Sequence, residues 1–516
     1  MTRNPPRRQY SFLAKVLAAA ALIGIADLFF YNQSPAATLG VFALIWAGTL
    51  AWVRPAVRQR VTPLVAIAAA AGFALILIDD PSVLGWCLFW TAIASATLLP
   101  RHRFNDAIGW SARLVGHAIL GSVTLLRDLQ RLSVARRPSD RTSIGAVLTV
   151  LALPVLGGGV FVALFASANP LIANALAVIR FPDLSSALGH LAFWITVLLA
   201  IWPNLRPRGN MLPVRSGSRA AHSALPDVPL ATLILSLFTF NAVFAVQNGL
   251  DVAFLWSGAM LPSGVTLADY AHRGAYALII TALLAGVFVL VAARPNGAGA
   301  QSATVRRLLI AWIGQNLLLV ASSVLRTIDY IDAYSLTRLR IAALAWMALV
   351  AVGLVLIGWR MVKGRSARWL INANAAAAAI VLTFSSIVDL GAVAASWNVR
   401  HARTAADLDL CYLNNLGPSA LLSLIQLERR AEGPVLRDQA VFIRSRIMTD
   451  LARDQADWHS WAWRGARRLA AARDLLGPSP RRPQTAPNGR DCAGEPNPPP
   501  PVSVVTPVPL TTVAKP

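Results

Sequence analysis

The stretch TLADYAHRGAYALI contains four polar side chains that could together bind a charged ligand. Asp269, His272, Arg273 and Tyr276 occupy positions i, i+3, i+4 and i+7, so on a helix they form one stripe over two turns. Asp269 would lie in the first turn, where a carboxylate complements the helix dipole. Polar residues inside an apolar stretch favour an ion-paired site that faces a polar cavity. The alternative is an interfacial cap in which Arg273 extends towards water and the tyrosines anchor the helix.

Two other apolar stretches carry charged residues at their ends. Asp251 lies at the end of one of them and could pair with Arg273, while Asn241 and Asn248 on the same stretch are expected to bond to neighbouring helices. The other leads into VLRTIDYIDAYSLTRLR, which contains the further candidates Arg326, Asp329, Tyr330, Arg338 and Arg340. These arginines interrupt an otherwise arginine-poor side of the chain. We therefore expect them to meet an anionic ligand or carboxylate partners.

The elements that must position these residues are about eleven apolar stretches. Hydrophobic residues make up 56% of the chain and charged residues 14%, and the mean hydropathy is +0.55. A soluble domain carries roughly a quarter charged residues, and a helix needs about 20 residues to cross a bilayer. We therefore expect an all-α, polytopic transmembrane helix bundle, with spans at 12–30, 36–53, 62–78, 83–99, 143–165, 187–202, 228–254, 270–293, 305–328, 339–359 and 369–390.

The loops between these stretches predict how the bundle is oriented. Basic residues concentrate at 54–60, 101–141, 206–219, 294–307 and 360–368, whereas the alternate loops carry almost none. Because basic loops remain in the cytoplasm, we expect a cytoplasmic N-terminus, a periplasmic C-terminus and a place in the bacterial inner membrane, among its lipids. The net charge of +23 is spread over these loops. A nucleic-acid partner is therefore not expected, because it would need one basic face.

The stretches and loops predict six parts. Residues 1–100 carry the first four spans, 101–141 a basic amphipathic segment, 142–227 the fifth and sixth spans with a basic loop, and 228–390 the last five spans. Residues 391–476 show helical periodicity and predict a small extracytoplasmic helical domain. The proline-rich residues 477–516 predict a disordered tail. For 101–141 two interpretations are open, a helix in the inner headgroup layer or a soluble hairpin against the bundle.

The cysteines and histidines predict neither a metal ion nor a cofactor. Cys87, Cys411 and Cys492 lack zinc-binding spacing, and no nucleotide-binding or hydrolase motif appears in a supporting context. Cys411 and Cys492 share the predicted outer side, but Cys492 falls in the proline-rich tail, so we do not expect a disulfide between them. His117 and His190 are isolated in sequence and are expected to be structural.

Four sequence blocks carry a family resemblance. They are LADYAHRGAYALI, VLRTIDYIDAYSLTRLR, NVRHARTAADLDLCYLNNLGPSALLSL and DWHSWAW. In order and spacing they resemble the bacterial multi-pass membrane proteins of the domain of unknown function 4173 family, which is similar to the 4153 family. The resemblance covers the chain from residue 228 onward and implies no activity. The family more often reads YARRGF where this chain has His272 and Ala275, which bears on any charge requirement at that position.

Each of these blocks lies at the outer end of a predicted span or in the outer tail, which predicts an outer cap above the charged residues. Its expected members are Asn398, Arg400, Asp407, Asp409, Tyr412 and Trp458. The first hypothesis is a protein that binds or moves an anionic envelope metabolite or lipid headgroup. The second is a sensor or scaffold whose C-terminal domain binds an envelope protein. The third, a transferase for lipid-linked substrates, lacks a carboxylate base in the first outer loop, so enzymatic activity is left open.

Overall fold

The computed structural model of this chain describes residues 12–135, 184–207, 229–256, 302–402, 404 and 407–499. The chain divides into two compact units, Met1–Arg219 and Ala220–Pro516. The described residues form helices joined by links and contain no β-strand. The prediction of an all-α fold is therefore confirmed. Seven of the helices in these ranges are long and apolar enough to cross a membrane.

The described residues of unit 1 form seven helices, most of them apolar. In order they are α1 (Phe12–Phe30), α2 (Ala37–Val53), α3 (Pro55–Arg58), α4 (Val61–Asp79), α5 (Val83–Leu98), α6 (Ala107–Ala135) and α7 (Leu184–Leu205). Its core contains Leu22, Trp46, Leu77, Phe89 and Leu205, all nearly inaccessible to solvent. The first four predicted spans and the sixth coincide with α1, α2, α4, α5 and α7, although α2 and α5 are shorter than the rest.

Helix α6 occupies most of the basic amphipathic segment and is one continuous helix rather than a hairpin over its length. Its Trp110 donates to the Ser95 hydroxyl over 3.0 Å, and His117 bonds to the Asn204 amide oxygen over 3.1 Å. Gly121 lies so close to Pro203 that an added Cβ would be 2.7 Å from the proline ring. These contacts hold α6 against α5 and α7, and they give His117 the structural role expected of it.

Up to residue 387, the described residues of unit 2 form four long apolar helices. These are α8 (Leu230–Asp251), which continues as a π-helical turn (Val252–Trp256), α9 (Ala303–Tyr334), α10 (Arg338–Lys363) and α11 (Ala367–Ile387). The side chains of Ser302, Thr337 and Ser366 cap the starts of α9, α10 and α11. These helices coincide with the seventh, ninth, tenth and eleventh predicted spans. The predicted spans at 143–165 and 270–293 lie outside the described residues.

Five further helices then form a C-terminal domain within unit 2. They are α12 (Leu390–His401), α13 (Leu410–Asn415), α14 (Leu421–Arg430), α15 (Pro434–Ala456) and α16 (Trp463–Leu476), with a 3-10 turn at Gly417–Ala420. Their apolar faces share one core, which includes Leu413, Leu421, Leu424, Ile443 and Leu469. The periodic residues of this region therefore bury their apolar stripe in a core of their own.

Two expectations about the end of the chain are corrected. Cys411 and Cys492 form a disulfide, although their sequence setting argued against one. Residues 477–499 do not project away as a disordered tail but lie along α15, where Arg490 pairs with Asp438 at 2.6 Å. Asn414 of α13 also donates to the Cys492 carbonyl over 2.9 Å. The segment has few apolar residues, so polar contacts and the disulfide hold it in place. Residues 500–516 lie outside the described ranges.

Candidate functional site

The stripe that first suggested a binding site falls outside the described residues. Asp269, His272, Arg273 and Tyr276 all belong to the range 257–301, for which the structure describes nothing. The other predicted site residues are described, and they separate into three places in unit 2. These are a polar seam between α8 and α9, a junction between the long helices and the C-terminal domain, and the surface of that domain.

The polar seam contains a buried ion pair. The Arg326 guanidinium on α9 bonds to the Asp251 carboxylate at the end of α8, and Gln247 also donates to Asp251 over 3.1 Å. Asp251 has no exposed surface, and Arg326 has 8%. Arg326 thus has the carboxylate partner that was one of the two explanations for its presence. The proposed pairing of Asp251 with Arg273 lies outside the described ranges.

Amide side chains continue the polar seam along the two helices. Asn241 donates to the Leu308 carbonyl over 3.1 Å and accepts from Gln315 over 2.9 Å, and Asn248 donates to the Gln315 carbonyl over 3.1 Å. Later residues of α8 thus contact later residues of α9, so the two helices run in the same direction. Asn241 and Asn248 bond to a neighbouring helix, as expected from the cost of leaving amides unpaired in an apolar environment.

Four buried oxygen atoms of the polar seam have no hydrogen-bond partner among the described residues. They are Asn248 Oδ1, Asp251 Oδ2, Gln315 Oε1 and Asn316 Oδ1. A buried acceptor without a donor costs about 1–3 kcal/mol. These four atoms are acceptors, and the buried Nε of Arg326 is a donor that likewise has no hydrogen-bond partner for that atom among the described residues. This set, mostly of acceptors, differs from what the anionic ligand suggested by the arginines would need.

The junction begins where α9 ends. Arg340 donates to the carbonyls of Tyr334 and Ser335, and its guanidinium lies 4.3 Å from the centre of the Tyr330 ring. A cation at a helix C-terminus satisfies carbonyls that have no partner within the helix and complements the helix dipole. Arg340 therefore holds the turn between α9 and α10 and is engaged with the protein itself.

Arg338 connects α10 to the C-terminal domain. Its backbone N–H donates to the Tyr412 hydroxyl over 2.9 Å, and its guanidinium donates to the Ser419 hydroxyl over 3.2 Å. An added Cβ on Gly391 would lie 2.3 Å from Arg338 Nη2. Only glycine at position 391 therefore leaves Arg338 in its observed place.

Asp389 is the acidic centre of the same junction and lies beyond the end of α11. It caps α12 by accepting from the Ala392 N–H over 2.9 Å, and it also accepts from Ser419 over 3.0 Å and from Arg468 over 2.5 Å. Burial acts to raise the pKa of the Asp389 carboxyl, but the Ala392, Arg468 and Ser419 contacts together hold that pKa below its ordinary value. Asp389 is therefore charged at neutral pH.

The side chains predicted to form the outer cap mostly form hydrogen bonds with backbone groups of the protein. Asn398 accepts from the Leu336 N–H over 2.7 Å and donates to the Leu336 carbonyl over 3.0 Å. Asp409 caps α13 by accepting from the Tyr412 N–H over 2.8 Å, and Asp407 accepts from the Thr404 N–H over 2.8 Å. The structure thus brings Asn398 and Tyr412 to the turn that contains Leu336 and Arg338. Their contacts fasten the domain to the turn.

Three predicted site residues lie apart from the junction network. Asp329 is exposed on α9, and Trp458 is half exposed, with the centre of its ring 3.6 Å from that of the tilted His459 ring. Arg400 is exposed at the end of α12, where it lines a cleft in the C-terminal domain. The sequence predicted that these three lie near the charged residues of the long helices. Instead, Asp329 and Trp458 are on the surface, and Arg400 lines the cleft.

The cleft has a volume of about 840 Å³ and lies within the C-terminal domain. Its charged lining residues are Arg400, Asp409, Arg430, Glu432 and Glu495, and its apolar ones include Val399, Leu408, Leu427, Val435 and Leu436. Sequence reasoning missed Arg430, Glu432 and Glu495, because Glu495 is far along the chain from the other two and the three share no motif. Within the described ranges, no group of three or more His, Cys, Asp or Glu side chains could hold a metal ion.

Comparison with known families gives one match. A family model described as "Domain of unknown function (DUF4153)" matches residues 17–427. The match extends into α1, well before the blocks that carry the resemblance, and it ends within α14, before the DWHSWAW block. The match is therefore to the 4153 family. Membership of the related 4173 family, to which the sequence blocks pointed, is not shown. No curated protein and no solved structure matches the chain significantly.

Proposed function

Because the chain belongs to the family described as Domain of unknown function (DUF4153), whose description names no activity, we propose a function from its geometry. The chain is an integral membrane protein with an additional helical domain at its C-terminal end. In our proposal it is a sensor or scaffold of the bacterial inner membrane. Its C-terminal domain binds a segment of an envelope protein on the periplasmic side.

The observation that carries this proposal is the cleft. Its wall combines two arginines, three carboxylates and several aliphatic side chains. A volume of about 840 Å³ is typical of sites that receive a compact ligand or part of a larger one. A peptide segment offers both signs of charge and apolar side chains, so it complements such a wall better than an anion alone does.

The disulfide supports the proposed location. Cys411 lies in the cleft wall, and its bond to Cys492 holds residues 477–499, which we call the C-terminal strap, against the domain. Disulfides persist in the periplasm and are rare in the cytoplasm. This agrees with the orientation predicted from the arginine-rich loops, in which the C-terminal part of the chain is periplasmic.

The junction supports a role in which binding is communicated to the membrane helices. Asn398 holds the backbone of Leu336 at two points, and Tyr412 and Ser419 hold Arg338 at the start of α10. The domain is thus fastened at several points to the turn between α9 and α10. A ligand that shifts α12 or α13 would act directly on that turn.

An anionic ligand is the second candidate, and one observation favours it. Arg400 and Arg430 are both exposed and both line the cleft. Arg326, Arg338 and Arg340 bond to groups of the protein, so the cleft is the better place for an anion than the ends of the helices. The transferase reading receives no support, since residues 31–36 between α1 and α2 contain no carboxylate.

Site-specific photocrosslinking in intact cells tests the proposal. We would place the crosslinking amino acid at Val435, which is 69% exposed in the cleft, and as a control at Arg453 on the same helix, whose side chain is 74% exposed. The expected result is a reproducible protein adduct from position 435 and none from position 453. Equal adducts, or none from either position, would count against a protein partner.

Native mass spectrometry distinguishes the second candidate. A retained anionic molecule that is lost from the Arg400→Gln, Arg430→Gln double variant would favour the anionic ligand. The matched control is the double variant Arg429→Gln, Arg453→Gln, which removes the same charge from the same domain without altering the cleft lining.

A further inference from the structure

One end of unit 1 gathers the ends of several helices around a buried arginine. Arg54, directly after α2, donates to the Thr97 carbonyl of α5 over 3.1 Å and to the Asn204 carbonyl of α7 over 3.3 Å. Arg60 donates to the Pro100 carbonyl after α5 over 3.3 Å. The C-terminal ends of α2, α5 and α7 therefore meet at the side of the bundle that the loops predict to be cytoplasmic.

Three arginines at this end lie within electrostatic range of Lys15. Lys15 of α1 interacts with Arg54, Arg101 and Arg206, and Arg54 also interacts with Arg101. We call these four residues the basic cluster. Like charges repel, and the repulsion grows where the surroundings are less polar than water. Such a group is stable only where opposite charge offsets it.

The protein supplies part of that opposite charge. Asp128 on α6 lies 3.3 Å from Arg206 and also accepts from the Trp202 ring nitrogen over 3.2 Å. Among the described residues, no carboxylate forms an ion pair with Lys15, Arg54 or Arg101. Burial, with a smaller contribution from Arg101, lowers the pKa of Arg54 to about 9. The cluster therefore remains cationic at neutral pH, and its positive charge exceeds the counter-charge that the described residues supply.

Helix α6 indicates where the remaining negative charge comes from. Its residues Ile108, Val115 and Ile119 lie on one face and are 64%, 56% and 65% exposed. The side of α6 opposite this face packs on α5 and α7, and Arg113 and Arg127 lie between the two sides. An exposed aliphatic face flanked by basic residues is typical of a helix in the headgroup layer of a membrane. The basic cluster, held against α6 through Asp128, would then lie at the level of lipid phosphates.

We propose that the basic cluster binds the phosphate group of an anionic membrane lipid. Lys15, Arg101 and Arg206 would contact the phosphate oxygens, and Arg54 would hold the helix ends that shape the site. Basic pockets between membrane helices on the cytoplasmic side have the chemistry that lipid phosphates require. This site is in unit 1 and is independent of the cleft and of any partner bound there.

The test measures lipid binding to the full chain in detergent by native mass spectrometry, with phosphatidylglycerol as the anionic probe and phosphatidylcholine as the neutral one. We expect selective retention of phosphatidylglycerol. In the double variant Lys15→Gln, Arg101→Gln its affinity should fall about 25-fold, since each cation near a membrane surface contributes roughly fivefold. The control variant Arg58→Gln, Arg103→Gln removes two exposed arginines that are outside the cluster but at the same end, so it should lower the affinity clearly less than the cluster variant does.

Two results would overturn the proposal. Equal losses in the two double variants would assign the binding to the overall positive charge of this end and not to the cluster. The same thermal stabilisation by millimolar inorganic phosphate as by phosphatidylglycerol would replace the lipid by a free anion. If, without lipid, the Lys15→Gln, Arg101→Gln variant unfolds at a lower temperature than the control, the lipid affinity of the single variant Arg101→Gln is the deciding measurement. Arg101 is exposed, so its replacement should leave the fold intact.

Discussion

The polar seam and the junction both contain an arginine paired with an aspartate, but the two pairs have different surroundings. In the seam, Arg326 and Asp251 are buried between two apolar helices, and four acceptor oxygens nearby have no donor among the described residues. In the junction, Asp389 receives three donors and lies between a helix start and the C-terminal domain. The comparison indicates that a satisfied network fastens two parts of a protein, whereas an incompletely satisfied one leaves chemistry for a ligand.

The largest expected effect comes from the polar seam. The Asp251→Ala variant leaves the Arg326 guanidinium buried without its carboxylate, and breaking a buried pair in this way costs about 3–5 kcal/mol. Thermal unfolding of the purified chain in detergent would measure the loss. Asp329→Ala is the control, because Asp329 is on the same helix pair but exposed. Equal stability of the two variants would show that the seam pair contributes nothing.

The disulfide should give the next largest effect. Replacing Cys411 and Cys492 by serine removes the link across 81 residues, and loss of a native disulfide typically costs about 2–5 kcal/mol. We expect faster proteolysis of residues 477–499 and of the C-terminal domain. Cys87→Ser serves as the control, since Cys87 is an exposed free thiol. Unchanged proteolysis of the double variant would mean that the polar contacts of Arg490 and Asn414 hold the strap without the disulfide.

A smaller effect is expected at Gly391. A Cβ there would approach the Arg338 guanidinium to 2.3 Å, so the side chain must move and lose its bond to Ser419. Because these atoms form the end of a flexible side chain, the cost should lie at or below the about 1–3 kcal/mol typical of overpacking in a core. Gly314→Ala, where a Cβ meets nothing within 4 Å in the middle of α9, should instead stabilise the chain slightly through helix propensity. A Gly391→Ala variant as stable as the wild type would mean that Arg338 is not needed at the junction.

The pH dependence of the junction is the smallest expected effect. The pKa of Asp389 is lower in the folded protein than its ordinary value of 3.8. Its contribution is therefore complete above that value and is lost as the pH falls through the lower, folded pKa. Release of the C-terminal domain from the turn between α9 and α10 can be measured by limited proteolysis between about pH 5 and pH 3, and it should increase towards pH 3. Asp389→Asn should flatten this dependence, and a profile identical to the wild type would assign it to other carboxyl groups.

Sequence reasoning anticipated the helices better than the contacts between them. The predicted spans at 12–30 and 305–328 reappear as α1 and α9, although α9 continues to Tyr334. The expected contacts of Asn241 and Asn248 with a neighbouring helix are also present. By contrast, Arg340 and Arg338 looked like ligand-binding arginines and are engaged at a helix end and at the C-terminal domain. Their partners are carbonyl and hydroxyl groups that carry no recognisable spacing in the sequence.

The sequence by itself determined that this is an all-α membrane protein and where most of its described helices lie. Apolar runs and their lengths are local properties, and a bilayer accepts only helices with satisfied backbones from such runs. Only the tertiary structure decided which charges meet, because Asp251 and Arg326, or Cys411 and Cys492, are far apart in the chain. Their pairing depends on which helices are neighbours and how each is rotated about its axis, which spacing within one segment does not specify.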